Sequence, residues 1–352
     1  MEAATTTPPV RGTRPFWRDA LAPYAKADLR RSLLDIATSV VPYLALQVAM
    51  YFALDVSYWL VLAISVPAAG FLLRTFIVFH DCTHGSFLPT KKANTWVGIF
   101  TGLLVYTPFH AWKHDHARHH ATSGDLDRRG AGDVEMITVR EYAERGFWKR
   151  LEYRLTRNPV LMLVIGPLWS LAIQPRFVQG NGRPLDKKSV LWTDLILLAV
   201  LGGLVWLIGG WALFAIQFPC IMLAGSAGVF LFYVQHQFEG VYFQRAEEWT
   251  YADAALKGAS HLKLPKLLQW FTGNIGLHHV HHLSARVPNY NLQRAHDDNP
   301  VFQSVPTLGF WDGVKCVRLK LWDEERQRLV TWREERRTRS GAAPAAAAAS
   351  AG

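Results

Sequence analysis

Histidine is the residue type in this chain with the most pointed spacing. There are 14 in 352 residues, and twelve fall in four short windows. His80 and His84 form HxxxH within HDCTHGSF, and His116, His119 and His120 form HxxHH within WKHDHARHH, with His114 just before it and His110 nearby. His236 stands alone in YVQHQFEG. His278, His281 and His282 form a second HxxHH within GNIGLHHVHHL, with His279 inside it. On a helix, positions i, i+3 and i+4 share a face, so each motif presents two or three imidazoles in one direction. Neutral imidazole binds borderline divalent metals through one nitrogen while the other donates to an acceptor behind it.

At this histidine content, chance gives far less than one HxxHH motif, and two are present. Protonated neighbours so crowded would repel one another, whereas a metal holds the rings neutral. Eight clustered histidines plus His236 exceed the four ligands of a structural zinc site and the three of a catalytic one, so two metals are expected. A redox-active metal gives an all-histidine site something to do, which favours iron, while spacing alone leaves zinc open. Three carboxylates lie close by in sequence: Asp81, Asp115 and Glu239. Asp115 and Glu239 are the expected acceptors for ligand ring N–H groups. His261 and His296, outside the clusters, are read as hydrogen-bonded histidines without metal.

The rest of the chain must hold these groups beside a membrane. Half of it is hydrophobic and 19% is charged, with mean hydropathy +0.06, which excludes a disordered chain and disfavours a wholly soluble enzyme. A bilayer core about 30 Å thick needs roughly 20 helical residues. Four stretches qualify, at about 36–54, 58–79, 190–208 and 211–234, and they pair into two hairpins. The spacing therefore predicts an all-α integral membrane protein of four transmembrane helices plus interfacial helices, with the histidines in a helical cap.

Arg30, Arg31, Lys91, Lys92, Arg128, Arg129, Lys187 and Lys188 all lie on the side of the termini and histidines, which the positive-inside rule makes cytoplasmic. The shorter apolar stretches Trp96 to Phe109 and Pro159 to Ile173 are read as interfacial or re-entrant. The net charge of +10 points to anionic headgroups rather than nucleic acid. Three scattered cysteines give no disulfide framework. The expected organisation is a flexible segment 1–31 without a signal peptide, a membrane domain 32–310, an amphipathic surface helix 311–339 and a disordered Ala-rich tail 340–352. Arg74 is expected to snorkel toward the cytoplasm, Asp194 to cap its helix or meet a cation, and Gly225, Ser226 and Gly228 to leave room for a narrow apolar slot. Arg128, Arg129, Lys91 and Lys92 are candidates for a lipid phosphate or an acidic donor.

HDCTH, HARHH and HHVHH resemble the three histidine boxes of the membrane fatty acid desaturase family in type, order and placement relative to the paired spans. HHATSGDLDRRGAGD and GNIGLHHVHHLSARVPNYNL look closest to bacterial acyl-lipid desaturases. The resemblance implies a multi-pass protein of a bacterial inner membrane that inserts a cis double bond into a lipid acyl chain. It also implies two non-haem iron ions, O2, and electrons from a separate ferredoxin or cytochrome b5-type donor. Carried over by position, the metal ligands are His80, His84, His116, His119, His120, His236, His278, His281 and His282. His114 and His279 are then supporting residues behind them. One departure is Phe232, four residues before His236, where animal stearoyl-CoA desaturases place an Asn. No HPGG-type haem segment is present. The rival readings are a di-iron hydroxylase or ketolase, which adds oxygen, and a non-catalytic metal sensor or transporter. Transport is disfavoured because midspan histidines and carboxylates are nearly lacking.

Overall fold

The computed structural model describes residues 15–130, 134–178 and 182–339. Five helices open the chain: α1 (Phe16–Leu21), α2 (Leu29–Ala53), α3 (Tyr58–His84), α4 (Lys91–Leu104) and α5 (Phe109–Thr122). Five more follow: α6 (Val139–Glu144), α7 (Phe147–Thr156), α8 (Pro159–Val164), α9 (Pro184–Ile208) and α10 (Gly210–His236). Beyond them come α11 (Tyr251–Lys257), strand β1 (His261–Lys263), α12 (Lys266–Phe271), α13 (His278–Leu283) and α14 (Asn289–Asp297). The described chain closes with β2 (Thr307–Gly309), α15 (Phe310–Cys316), β3 (Leu319–Asp323), β4 (Arg328–Thr331) and α16 (Trp332–Arg339).

α2, α3, α9 and α10 are long and apolar enough to cross a membrane, and they match the four expected spans. Local chemistry sets their ends. Asp28 starts α2 by accepting from the backbone N–H groups of Arg30 and Arg31, and Ser57 caps α3 the same way at Trp59. Gly85 stops α3 at φ +69°, the left-handed conformation that glycine adopts without a Cβ penalty. Gly209, at φ +84°, breaks α9 from α10 within one residue. α3 is the central element, packing on α2, α4 and α10. Met50, Val61, Ala68, Ile216 and Cys220 form the core where α2, α3 and α10 meet.

α4 and α8 are both too short to span, and the latter gives way at Pro167 to wide π-type turns over Leu168–Ile173. Asp194 pairs with Arg176, one of the two expected outcomes. Three other expectations are corrected. Residues 311–339 are not one helix: β3 and β4 pair antiparallel, because Leu321, Trp322, Leu329 and Val330 are adjacent pairs that a hairpin buries and a surface helix would split. Trp322 joins the core shared by Leu73, Leu231 and Val234. The stretch from Pro15 to Arg31 is not loose, since Leu21 is 1% exposed and packs with Leu277, Val280 and Leu283 of the third histidine motif. Residues 1–14 and 340–352 lie outside the described part. Arg74 does not snorkel: it is buried, pairs with Asp35 at 2.6 Å and donates to the Trp270 carbonyl.

Candidate metal centre

The four histidine-bearing segments come from distant parts of the chain and meet at one end of α3 and α10. His80 and His84 occupy the last turns of α3, α5 carries the second motif, His236 ends α10, and α13 carries the third. The nine imidazoles sort into two groups. His80, His84, His116, His120 and His281 each offer one ring nitrogen, all within 4.8 Å of one another, as do those of His119, His236, His278 and His282. Either group can hold a metal ion.

Helix geometry explains the sorting. His116 and His120 are four residues apart on α5 and point one way, while His119 is rotated off that stripe toward the second group. On α13 the roles reverse: His278 and His282 are the i, i+4 pair of the second group, and His281 turns to the first. Each HxxHH motif therefore feeds both groups. The wall between them is the stacked pair His120 and His282, with ring centroids 4.3 Å apart.

Within the groups, ring nitrogens point at ring nitrogens. His116 Nε2 lies 3.0 Å from His80 Nε2 and 3.1 Å from His120 Nε2. In the second group, His119 Nε2 is 3.2 Å from His282 Nε2, and His278 Nε2 is 2.9 Å from His236 Nε2. His84 Nε2 and both nitrogens of His281 are buried and have no hydrogen-bond partner among the described residues. Burial first, and neighbouring rings second, push His116, His120, His281 and His282 well below the ordinary imidazole pKa. The same holds for His278. Neutral rings with inward lone pairs are what a cation requires.

The outer contacts differ from expectation. Asp81 is the carboxylate that orients a ring: its Oδ1 accepts from His80 Nδ1 at 3.0 Å, and its Oδ2 accepts from the Asn289 backbone N–H at 2.6 Å and from the Asn289 side chain at 3.1 Å. Asp115 faces outward toward Arg118 at 4.0 Å, and Glu239 is exposed, so neither fills the expected role. A residue directly after a helical ligand can reach back to it only if its far side is anchored, and Asn289, 208 positions away, supplies that anchor. His236 Nδ1 instead meets the Gly258 carbonyl at 3.3 Å and Ser123 Oγ at 3.4 Å.

His114 also points away from the rings, to Asp186 at 2.8 Å. His279 sits on the rear of α13, with Nε2 3.0 Å from His296 Nδ1 and His261 nearby, so it supports the helix rather than a ligand ring. Phe232 packs against His119 and His236, with ring centroids at 5.1 and 5.4 Å. Beside it a cavity of about 550 Å³ opens, lined by Ser123, Arg129, Glu141, His236 and Tyr242 among others. Arg128 and Arg129 are tied to Asp125 and Glu141. Gly225 does not line a slot: a Cβ there would meet Pro167 at 2.7 Å, so it permits close packing.

The described residues thus combine four helices long and apolar enough to cross a membrane with two adjacent all-histidine groups that could each hold a metal ion. A fatty acid desaturase family profile matches residues 57–306. The chain is 44% identical over 314 residues to a fatty acid desaturase of Bacillus subtilis (strain 168), covering 89% of each chain. It is 28% identical over 235 residues to an sn-1 acyl-lipid omega-3 desaturase (ferredoxin) of Synechocystis sp., covering 62% of each. An sn-1 oleoyl-lipid 12-desaturase of the same organism is also 28% identical, with 64% of each chain covered. The chain belongs to the fatty acid desaturase family and is an oxidoreductase.

Proposed function

We propose that the protein introduces a cis double bond into an acyl chain of a membrane lipid at a di-iron centre. The nine histidines are its ligands, five to one iron and four to the other. The observation that carries this is the convergence of nine ring nitrogens into two tight groups. The five-membered group exceeds the four ligands of a tetrahedral zinc site, which favours a higher-coordinate metal such as iron.

Bound iron supplies the O2 chemistry that removes hydrogen from an unactivated methylene. The chain itself does the positioning. Asp81 fixes the His80 ring with Nε2 turned inward, and the Gly258 carbonyl does so for His236. Phe232 and Trp112 put apolar surface against His119, His236 and His116, which keeps water from the reacting carbons. In the reaction, CH2–CH2 plus O2, two electrons and two protons give CH=CH and two waters. The electrons come from a ferredoxin-type protein, a reading supported by the similarity to the ferredoxin-linked desaturase of Synechocystis. α2 with α3, and α9 with α10, form two membrane hairpins whose histidine-bearing ends and termini are cytoplasmic.

Expression in a host lacking polyunsaturated lipids, followed by mass analysis of its fatty acids, tests this. New chains lighter by two hydrogens are expected, with about two iron atoms per purified chain. His119→Ala should abolish the product. Chains heavier by one oxygen would replace desaturation with hydroxylation.

A further inference from the structure

Trp112 is half-buried and stacks on His116, with centroids 4.2 Å apart and planes 24° off parallel. Its ring also lies 5.8 Å from that of His80. It is therefore a partly exposed aromatic ring in direct contact with two members of the five-histidine group. Phe76 and Phe79 hold it edge-on from the other side, at 5.6 and 5.1 Å.

Cations gather around the residue that follows it. Lys113, the next residue, is exposed, and its ammonium is lowered by partial burial and then by the nearby charges of Lys91 and Arg183. Arg183 and Arg118 have carboxylate neighbours in Asp186 and Asp115. Lys91 and Lys113 have no ion-pair partner among the described residues, so the patch keeps a net positive charge beside the aromatic ring.

We infer that this face, where Lys113 follows Trp112 and Lys91 lies near Lys113, is the docking surface for an acidic one-electron carrier protein, whose electrons enter through Trp112. The inference rests on the desaturase reading above. Each encounter oxidises the carrier by one electron, and two encounters supply the two electrons that the desaturation consumes. An anionic lipid surface would also be drawn to the lysines. It would make no use of an aromatic ring stacked on a histidine of the metal group, and that contact decides for a redox protein.

The test uses full-length protein in nanodiscs and a purified acidic [2Fe–2S] ferredoxin. Lys91→Glu with Lys113→Glu should weaken ferredoxin binding at least tenfold at low salt and flatten its salt dependence, in metal-free and iron-loaded protein alike. Iron content, and desaturation driven by dithionite-reduced methyl viologen, should stay at wild-type levels. Trp112→Leu should bind ferredoxin normally yet slow ferredoxin oxidation at least tenfold in stopped flow, with Trp112→Phe intermediate. Unchanged affinity in the charge-reversed protein, or lost affinity for phosphatidylglycerol vesicles instead of ferredoxin, would overturn the docking site. Unchanged ferredoxin oxidation in Trp112→Leu would overturn the entry point. If wild-type protein made no double bonds even with viologen, the desaturase reading would fail instead, whatever the binding data.

Discussion

At the scale of single residues, the centre depends on which nitrogen of each ring points inward. Asp81 decides this for His80, and it is itself held by two donors from Asn289. Replacing the acceptor behind a metal-bound histidine typically costs 10- to 100-fold in metal affinity. Asp81→Asn should therefore retain the fold but lose iron by about that factor in competition with a chelator, while Asp115→Asn should not. The sequence marked both aspartates by their nearness to ligands. It favoured Asp115 over Asp81, and the structure reverses that choice through a backbone N–H 208 residues away.

At the scale of elements, α5 must lie close against α3 and α4 for its stripe to face His80. Gly98 permits that approach: a Cβ there would fall 2.1 Å from the Phe109 ring at the start of α5 and 3.1 Å from Cys82 on α3. Gly98→Val should destabilise the protein by about 1–3 kcal/mol through overpacking. The readouts are a lowered Tm and a reduced iron content, since the second box would move with α5. A separate clamp holds α6. Arg129 makes two hydrogen bonds to Glu141 and draws its carboxyl down to about 2. Because the folded pKa is depressed, the resulting stability is present above the ordinary carboxylate range and vanishes as pH falls toward 2. The pair is partly exposed, so its worth is about 1 kcal/mol after solvent screening. Glu141→Gln should melt below wild type at pH 6, and the gap should narrow below the ordinary carboxylate range and close only as pH approaches 2.

At the scale of the whole molecule, the proposed topology puts both short inter-span connections on the face opposite the histidines. All three cysteines are buried, which leaves introduced thiols easy to read. Asp55→Cys and Trp211→Cys should react with an impermeant maleimide from outside intact cells, and Arg140→Cys should react only after lysis. Labelling of all three from one side would require a different threading of the chain. The C-terminal hairpin belongs to the same body, because Trp322 and Leu329 sit in a core with Leu73 and Val234.

The sequence by itself determined the spans, the three boxes, the identity of all nine converging histidines and the family. The spans and boxes follow from local periodicity and side-chain chemistry, and the family from the resemblance of HDCTH, HARHH and HHVHH to known histidine boxes. Only the tertiary structure decided how His119 and His281 cross over between the groups, that Asp81 rather than Asp115 or Glu239 steadies a ring, and that residues 319–331 pair as a hairpin. It also set Phe76 and Phe79 of α3 edge-on against Trp112, which reaches His116 from one turn earlier on α5. Such outcomes depend on contacts between segments tens to hundreds of residues apart. Their energies are set by the packing of one element against another, which no local pattern encodes.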